Sequence, residues 1–113
     1  MDALILDTTG EDFGKHAYSQ MAEFNVEVET REVKLVDVPG VISRSDAESY
    51  LVICDVDERF IEEVIDKVLE LEMRKGVIEK LFLDSKGESQ EVFRRRARRE
   101  AGEAAERLAE KIR

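Results

Sequence analysis

Three carboxylates stand at the ends of predicted strands, where acidic side chains can bind a cation. Asp7 ends the apolar run Ala3–Leu6, and Asp55 and Asp57 follow a second apolar run, YLVIC. Carboxylates that converge on one edge of a sheet can hold Mg²⁺ and activate phosphate chemistry, because this cation prefers oxygen ligands. Helix capping explains Asp55 and Asp57 without any ligand. The residues therefore favour a chain with no cofactor and leave a Mg²⁺ site at Asp7, Asp55 and Asp57 as the alternative.

Five arginines crowd into little more than one helical turn near the C-terminal end: Arg94, Arg95, Arg96, Arg98 and Arg99. Guanidinium groups bind phosphates and carboxylates through paired hydrogen bonds, so this arginine cluster suits RNA or an acidic protein surface. Phe93 is the only aromatic residue beside it, whereas proteins that stack on RNA bases interleave several. Three interpretations stay open: a face that docks on the protein's own acidic surface or on another subunit, a foreign protein partner, and RNA.

The other chemically reactive residue types form no recognisable site. Gly10 and Gly14 bracket a turn like a phosphate-binding loop, but three residues separate them where that motif has four. His16 has no second His or Cys with which to form a set of metal ligands. Cys54 lies among apolar residues and is predicted to be a small buried side chain. Since no nucleophile and base stand in a recognisable pattern, catalytic residues are unknown and the chain is not expected to be an enzyme.

The charge is distributed unevenly along the chain. Residues 1–87 carry 21 Asp and Glu against 10 Lys and Arg, whereas residues 88–113 carry 6 against 8, and the formal net charge is −9. An acidic body repels phosphate backbones and anionic lipid, so electrostatics disfavour nucleic acid everywhere except the C-terminal tail. The 40% content of charged residues, with one Pro and no Trp, is typical of ion-pair-rich thermophile proteins.

The length and the apolar runs predict one domain in a reducing compartment. A chain of 113 residues can bury a single core without disulfides, and its lone cysteine offers no disulfide framework. No window approaches the roughly 20 apolar residues of a membrane span, and the N-terminal residues lack the basic segment of a signal peptide. We therefore expect a cytoplasmic protein with no membrane partner.

The stretch Tyr50–Asp84 predicts a strand, a helix and a second strand. The helix is expected near residues 57–75, and Gly76 stands where a left-handed C-cap belongs. The second strand is expected at Val77–Leu83. One face of the helix is predicted to be buried, and its residues are Ile61, Val64, Ile65, Val68, Leu69 and Leu71.

A similar unit precedes this stretch, and the two together predict a fold. The run Ala3–Leu6 predicts a strand, and residues 12–24 a helix, before a strand that starts at Val26 and bends or divides near residues 30–32. Two such units in tandem predict an α+β, two-layer sandwich of the ferredoxin-like type, a split βαβ (βαββαβ) fold with an extra C-terminal helix. Its sheet would be antiparallel, with the first and third strands adjacent and parallel, and both helices would cover one face. The connection Pro39–Ser49 is predicted to be a surface loop.

Residues 88–113 are predicted to form a long helix added to the sandwich domain of residues 1–87. The apolar stripe of this helix is narrow and rich in alanine, so helix propensity alone would not order it. We expect the helix to dock on its own domain or on a second copy of the chain. The predicted contacts are the anchors Phe93, Leu108 and Ile112 with a polar flank of Arg94, Arg95, Arg98 and Arg99.

Taken together, these features favour a small soluble interaction or regulatory module that self-associates. A protein partner other than itself is a further expectation. The first alternative is a divalent-metal-dependent enzyme of phosphate chemistry that uses the acidic edge of the sheet. The second alternative is RNA binding through the arginine cluster.

Overall fold

Four parallel strands form the centre of the protein. The computed structural model describes residues 1–112, and its strands are β1 (Ala3–Asp7), β2 (Val28–Glu32), β3 (Ser49–Asp55) and β4 (Val77–Leu83). Their order across the sheet is β2-β1-β3-β4, and every neighbouring pair is parallel. The side chains of β1 and β3 are almost all buried, as expected of parallel strands that are covered on both faces. The carboxyl ends of all four strands therefore meet at one edge of the sheet.

The helices lie on both faces of this sheet. They are α1 (Phe13–Ala22), α2 (Val38–Arg44), α3 (Ile61–Lys75) and α4 (Gln90–Ile112). The first and fourth helices cover one face, and the second and third cover the other. Alternate residues of a strand point to opposite faces, so Ile5 packs with α1 and α4 whereas Leu4 and Leu6 pack with α2 and α3. The protein thus has two cores, one on each side of the sheet.

The mixed α and β content is confirmed, but the predicted ferredoxin-like, two-layer arrangement is wrong. The first and third strands are indeed adjacent and parallel, with a register that runs from Ala3↔Ser49 to Asp7↔Ile53. The connection from β2 to β3 contains a 3₁₀ turn at Leu35–Asp37 and then α2, where the prediction had a strand and a loop. A helix of this kind lets the chain return parallel to its previous strand, whereas a short loop would make it antiparallel. The missed helix is therefore the reason that the sheet is parallel and that α1 and α3 lie on opposite faces.

Pro39 explains why α2 escapes detection from the sequence. It lies in the first turn of the helix, where its missing N–H breaks no intrahelical hydrogen bond and its fixed φ angle suits the helix. Val38 and Ile42, four residues apart, are both buried against the sheet. In a helix of seven residues, one apolar spacing is too short a pattern to distinguish from a loop.

The third helix lies close to its predicted position. It buries Val64, Val68 and Leu71, and it ends at Gly76, whose φ angle is 84°. A Cβ atom at position 76 would lie 2.9 Å from the backbone oxygen of Glu48, so only glycine fits there. Leu69 does not lie on the buried face as predicted, because 47% of its surface is exposed.

The fourth helix packs against α1 and the sheet as part of the first core. Its buried side chains are Ala97, Ala101, Ala104, Ala105, Leu108 and Ala109. Small side chains let the helix approach its neighbours closely, and this packing supplies the order that propensity lacks. The division of the chain into a domain of residues 1–87 and a separate helix of residues 88–113 stays a prediction. Among residues 1–112, no helix combines the length and the hydropathy that crossing a bilayer requires.

Candidate functional site

Asp7 connects the carboxyl edge of the sheet to the first turn of α1. Its Oδ1 accepts hydrogen bonds from the backbone N–H of Thr9 at 2.9 Å and from the Thr9 hydroxyl at 2.6 Å. Its Oδ2 accepts a hydrogen bond from the backbone N–H of Gly14 at 2.9 Å, and the residue is only 2% exposed. Asp12, at the N-cap of α1, makes no side-chain capping bond. The buried carboxylate of Asp7 therefore supplies a negative charge that stabilises the N-terminus of α1.

Gly14 makes this close approach possible. A Cβ atom at position 14 would lie 2.8 Å from Thr30 Oγ1 and 3.1 Å from Asp7 Cβ, which is closer than side chains tolerate. A phosphate bound at the start of a helix would use the same backbone N–H groups. Gly14, one of the two glycines that look like a phosphate-binding loop, thus donates to an internal carboxylate.

The place where the strand order reverses is occupied by the chain's own side chains. Ligands of open parallel sheets bind beyond the carboxyl ends of the strands at such a reversal, which here lies between β1 and β3. The hydroxyl of Thr8 donates a hydrogen bond to the backbone oxygen of Ile53 at 2.9 Å and lies 3.4 Å from Glu58 Oε2. A polar cavity of about 270 Å³ lies beside β1 and β2 and is lined by Asp7, Glu11, Gly14, Lys15, Thr30 and Glu32.

Asp55 and Asp57 form a turn at the end of β3. Asp55 Oδ1 accepts a hydrogen bond from the backbone N–H of Asp57 at 2.9 Å. Neither residue caps α3, whose N-cap position is Phe60 and has no side-chain capping bond, so the predicted capping role is wrong. Asp7 pairs with Ile53 in the sheet, which places Asp55 two residues further along. Within residues 1–112, no three acidic, His or Cys side chains stand together as a metal site, and the Mg²⁺ site stays a prediction.

Every arginine of the arginine cluster lies near a carboxylate of the same chain. Arg94 lies 3.3 Å from Glu11, and Arg98 lies 3.2 Å from Asp12, so two ion pairs hold α4 against the loop between β1 and α1. The hydrogen bond from Arg98 lowers the pKa of the Asp12 carboxyl. The remaining pairs are Arg95–Glu91, Arg96–Glu88, Arg96–Glu100 and Arg99–Glu103. RNA binding and protein binding through these arginines stay predictions.

The three predicted anchors of α4 lie on the side of the helix that faces α1 and the sheet. Leu108 is fully buried, and Ile112 packs against the same core. The ring of Phe93 meets the ring of Phe13 edge to face, with centroids 6.1 Å apart and an interplanar angle of 83°. These contacts are made within one chain, and a role for Phe93, Leu108 and Ile112 in binding a partner stays a prediction.

An exposed apolar surface, which the sequence analysis did not single out, follows α3 beside the edge strand β4. We name it the α3 strip and define it by Ile65, Leu69 and Met73 of α3 together with Phe82 of β4. Met73 is 90% exposed, Leu69 47% and Phe82 43%. Residues four apart lie along one side of a helix, so the three helical members form a continuous row. The spacing was visible in the sequence, but the sequence could not show that a second row, Val64, Val68 and Leu71, takes the buried side.

A shallow groove lies at the N-terminal end of the α3 strip. Its volume is about 330 Å³, and it lies between the first two turns of α3 and the ring of Phe82. Ile61 and Ile65 form the apolar part of its wall, and Glu62 and Asp66 form an acidic rim. The groove can therefore accept an apolar side chain whose neighbours are basic.

No family model matches the chain, and a search of curated proteins found no significant match.

Cys54 is buried on the α2 and α3 side of the sheet, as predicted. Its Sγ lies 3.7 Å from the backbone oxygen of Leu81, to which the thiol donates. Burial, with a smaller contribution from Glu58 and Asp55, raises the pKa of the thiol to about 12. The side chain therefore stays a thiol at neutral pH and is a poor nucleophile.

Proposed function

We propose that this protein is a small interaction module that self-associates through the α3 strip. The 90% exposure of Met73, together with the exposure of Leu69 and Phe82, is the observation that carries the proposal. Single exposed apolar residues are ordinary, but a continuous apolar row beside a groove is typical of an interaction surface. Removal of that apolar surface from water favours association.

The charges along α3 favour a second copy of the chain as the occupant. The first turn of the helix carries Glu62 and Glu63, and the last turn carries Arg74 and Lys75. Two copies of α3 that run antiparallel would bring each acidic end to a basic end. A two-fold interface requires a surface that is complementary to itself in this way.

The carboxyl edge and the arginine cluster are less suited to a partner. RNA would compete with the carboxylates that already pair with the arginines, such as Asp12 with Arg98. A cation at Asp7 would compete with the hydrogen bonds that Gly14 and Thr9 donate to it. The α3 strip has no such internal competitor, because Leu69, Met73 and Phe82 are apolar and exposed.

The molar mass in solution tests this proposal. In size-exclusion chromatography with light scattering over a dilution series, we expect the wild type to exceed its chain mass of 13.0 kDa and approach twice that value. The double substitution Leu69→Glu/Met73→Glu should weaken association at least about tenfold, since it places charge at the centre of the contact. Val92→Glu is the matched control, because Val92 is 46% exposed, close to the 47% of Leu69, but lies on α4 at the other face of the sheet.

Two results would contradict the proposal. One is a wild-type mass that stays at 13.0 kDa at the highest concentration reached. The other is a mass that the double substitution on α3 leaves unchanged. Circular dichroism spectra that match the wild type would establish that each variant is folded.

A further inference from the structure

The polar cavity beside β1 and β2 brings together charged side chains from three segments of the chain. Lys15 comes from the first turn of α1, Glu32 is the last residue of β2, and Glu11 belongs to the loop before α1. The volume of about 270 Å³ lies just below the range of about 300–1,000 Å³ that is typical of pockets for drug-sized ligands. Both Lys15 and Glu32 are exposed to solvent. The cavity therefore suits a small metabolite that arrives from solution.

Most of the charges around this cavity already have partners in the same chain. Asp7 accepts hydrogen bonds from backbone N–H groups, and Glu11 lies 3.3 Å from Arg94. The side chains of Lys15 and Glu32 form no ion pair within residues 1–112, either with each other or with a third residue. The cavity therefore presents one ammonium group and one carboxylate that have no ionic partner.

Backbone contacts fix the positions from which these two side chains extend. Glu32 pairs with Asp7 in the sheet. Asp7 also accepts a hydrogen bond from the backbone N–H of Gly14, the residue before Lys15. The buried Asp7 therefore links the strand that bears Glu32 to the helical turn that bears Lys15. Groups that extend from a strand and a helix are held more precisely than groups on a loop.

We infer that this cavity binds a free α-amino acid with a small polar side chain. At neutral pH such a ligand carries one ammonium group and one carboxylate, which Glu32 and Lys15 bind respectively. A second cavity of about 380 Å³ adjoins the first, because the two share lining residues. The residues found only in its wall are Gly10, Asp12, Arg94 and Arg98. An apolar ligand side chain would displace water from those charged groups without replacing its hydrogen bonds, so a polar side chain is favoured.

Other classes of ligand fit this cavity less well. A phosphate would need the backbone N–H of Gly14, which already bonds to Asp7, and Glu32 would repel it. A simple amine would leave Lys15 without a partner, and a simple carboxylic acid would leave Glu32 without one. The cavity lies at the β2 edge of the sheet, whereas the α3 strip lies beside β4 at the opposite edge. Binding of the amino acid is therefore independent of the proposed self-association.

An NMR titration of the isotope-labelled full chain with L-serine tests this inference. We expect millimolar serine to shift the amide resonances of Gly14, Lys15 and Glu32 in a saturable way. Ethanolamine, which lacks the carboxylate of serine, and β-hydroxypropionate, which lacks its ammonium group, should each bind at least about tenfold more weakly, as should L-leucine. The absence of a saturable shift with serine would overturn the inference. Binding of any of the three comparison compounds as tightly as serine would overturn it as well.

Substitutions of the two charged residues locate the site. Lys15→Gln and Glu32→Gln should each weaken serine binding at least about tenfold, because each removes one charged partner of the ligand. Lys34→Gln and Glu23→Gln are the matched controls and should leave binding unchanged, since both residues are exposed and neither lines the two cavities. All four positions are exposed, so each variant should stay folded, which circular dichroism would check. Serine binding that Lys15→Gln or Glu32→Gln leaves unchanged would overturn the inference and would leave the proposed self-association untouched.

Discussion

The carboxylate of Asp7 accepts a 2.9 Å hydrogen bond from the backbone N–H of Gly14, seven residues further along the chain. The bond joins the end of the central strand to the first turn of α1 in a buried position. It makes the acidic residue at the strand end a structural part of the fold.

Replacement of Asp7 should destabilise the protein. Asp7→Ala leaves the N–H groups of Thr9 and Gly14 without their acceptor, so we expect the free energy of unfolding to fall by about 3 kcal/mol. Asp7→Asn keeps one acceptor oxygen and should lose less. Urea denaturation followed by circular dichroism measures both values.

Millimolar Mg²⁺ distinguishes a structural Asp7 from a metal ligand. We expect the melting temperatures of the wild type and of Asp7→Asn to respond equally to Mg²⁺, with no specific stabilisation of either. A stabilisation of the wild type that Asp7→Asn abolishes would instead establish the cation site at Asp7, Asp55 and Asp57.

Two leucines, one buried and one exposed, should respond very differently to replacement by alanine. Leu108→Ala leaves a cavity in the core beneath α4, so the free energy of unfolding should fall by about 3 kcal/mol. Leu69→Ala, measured at a concentration where the chain is monomeric, should cost under about 1 kcal/mol, because Leu69 is half exposed. Equal losses would mean that α4 does not pack on the sheet as described.

Acid should weaken the attachment of α4. The hydrogen bond from Arg98 lowers the pKa of Asp12, and burial raises the pKa of Glu79 less than its bonds with Lys111 and Arg107 lower it. Since both folded pKa values lie below the ordinary values of 3.8 and 4.5, these groups stabilise the fold above that range. Their contribution is lost as pH falls through the lowered values.

The acid effect can be measured as the free energy of unfolding at several pH values. We expect a decrease that begins below about pH 4.5 and becomes smaller in Arg98→Gln, because the Asp12 pKa then returns toward its ordinary value. Arg59→Gln, on the loop before α3, is the control and should keep the wild-type slope. An unchanged slope in Arg98→Gln would refute a coupling between Asp12 and α4.

Two glycines should respond to alanine with opposite signs. Gly76→Ala should destabilise the fold by more than about 1 kcal/mol, because of its φ of 84° and the nearby oxygen of Glu48. Gly102, inside α4, has no atom within 4 Å of a new Cβ, so Gly102→Ala should stabilise the helix by about 0.5–1 kcal/mol. Thermal melts of the two variants would test both signs, and a stable Gly76→Ala would show that the turn after α3 can rearrange.

The helices and strands that the sequence predicts well are those marked by a long pattern of apolar residues. Six of the predicted elements, β1, α1, β3, α3, β4 and α4, are found near their expected positions, because a run of apolar residues or a sustained helical period marks each of them. The sequence predicts a bend or a division of the strand near residues 30–32, whereas β2 ends at Glu32 and the 3₁₀ turn at Leu35–Asp37 follows it. With that helix-containing connection missed, the direction of β3 relative to β2 could not be inferred.

Site residues were harder to predict because their roles depend on partners far away in the sequence. The sequence places Asp7 at the end of a strand but does not show that Gly14 and Thr9 donate to it. It places Leu69 and Met73 on a helix with two apolar rows but does not show which row the sheet covers. Both properties are set by packing across the fold.

The position of α4 in the chain also constrains how the protein is made. This helix follows all four strands, and it covers one face of the sheet with Ala101 and Leu108. On the ribosome, the apolar side chains of that face, among them Ile5 and Leu83, are covered only in part, by α1, until α4 has been synthesised. The nascent chain therefore exposes apolar surface until late in translation, when chaperones that bind apolar segments would have most effect.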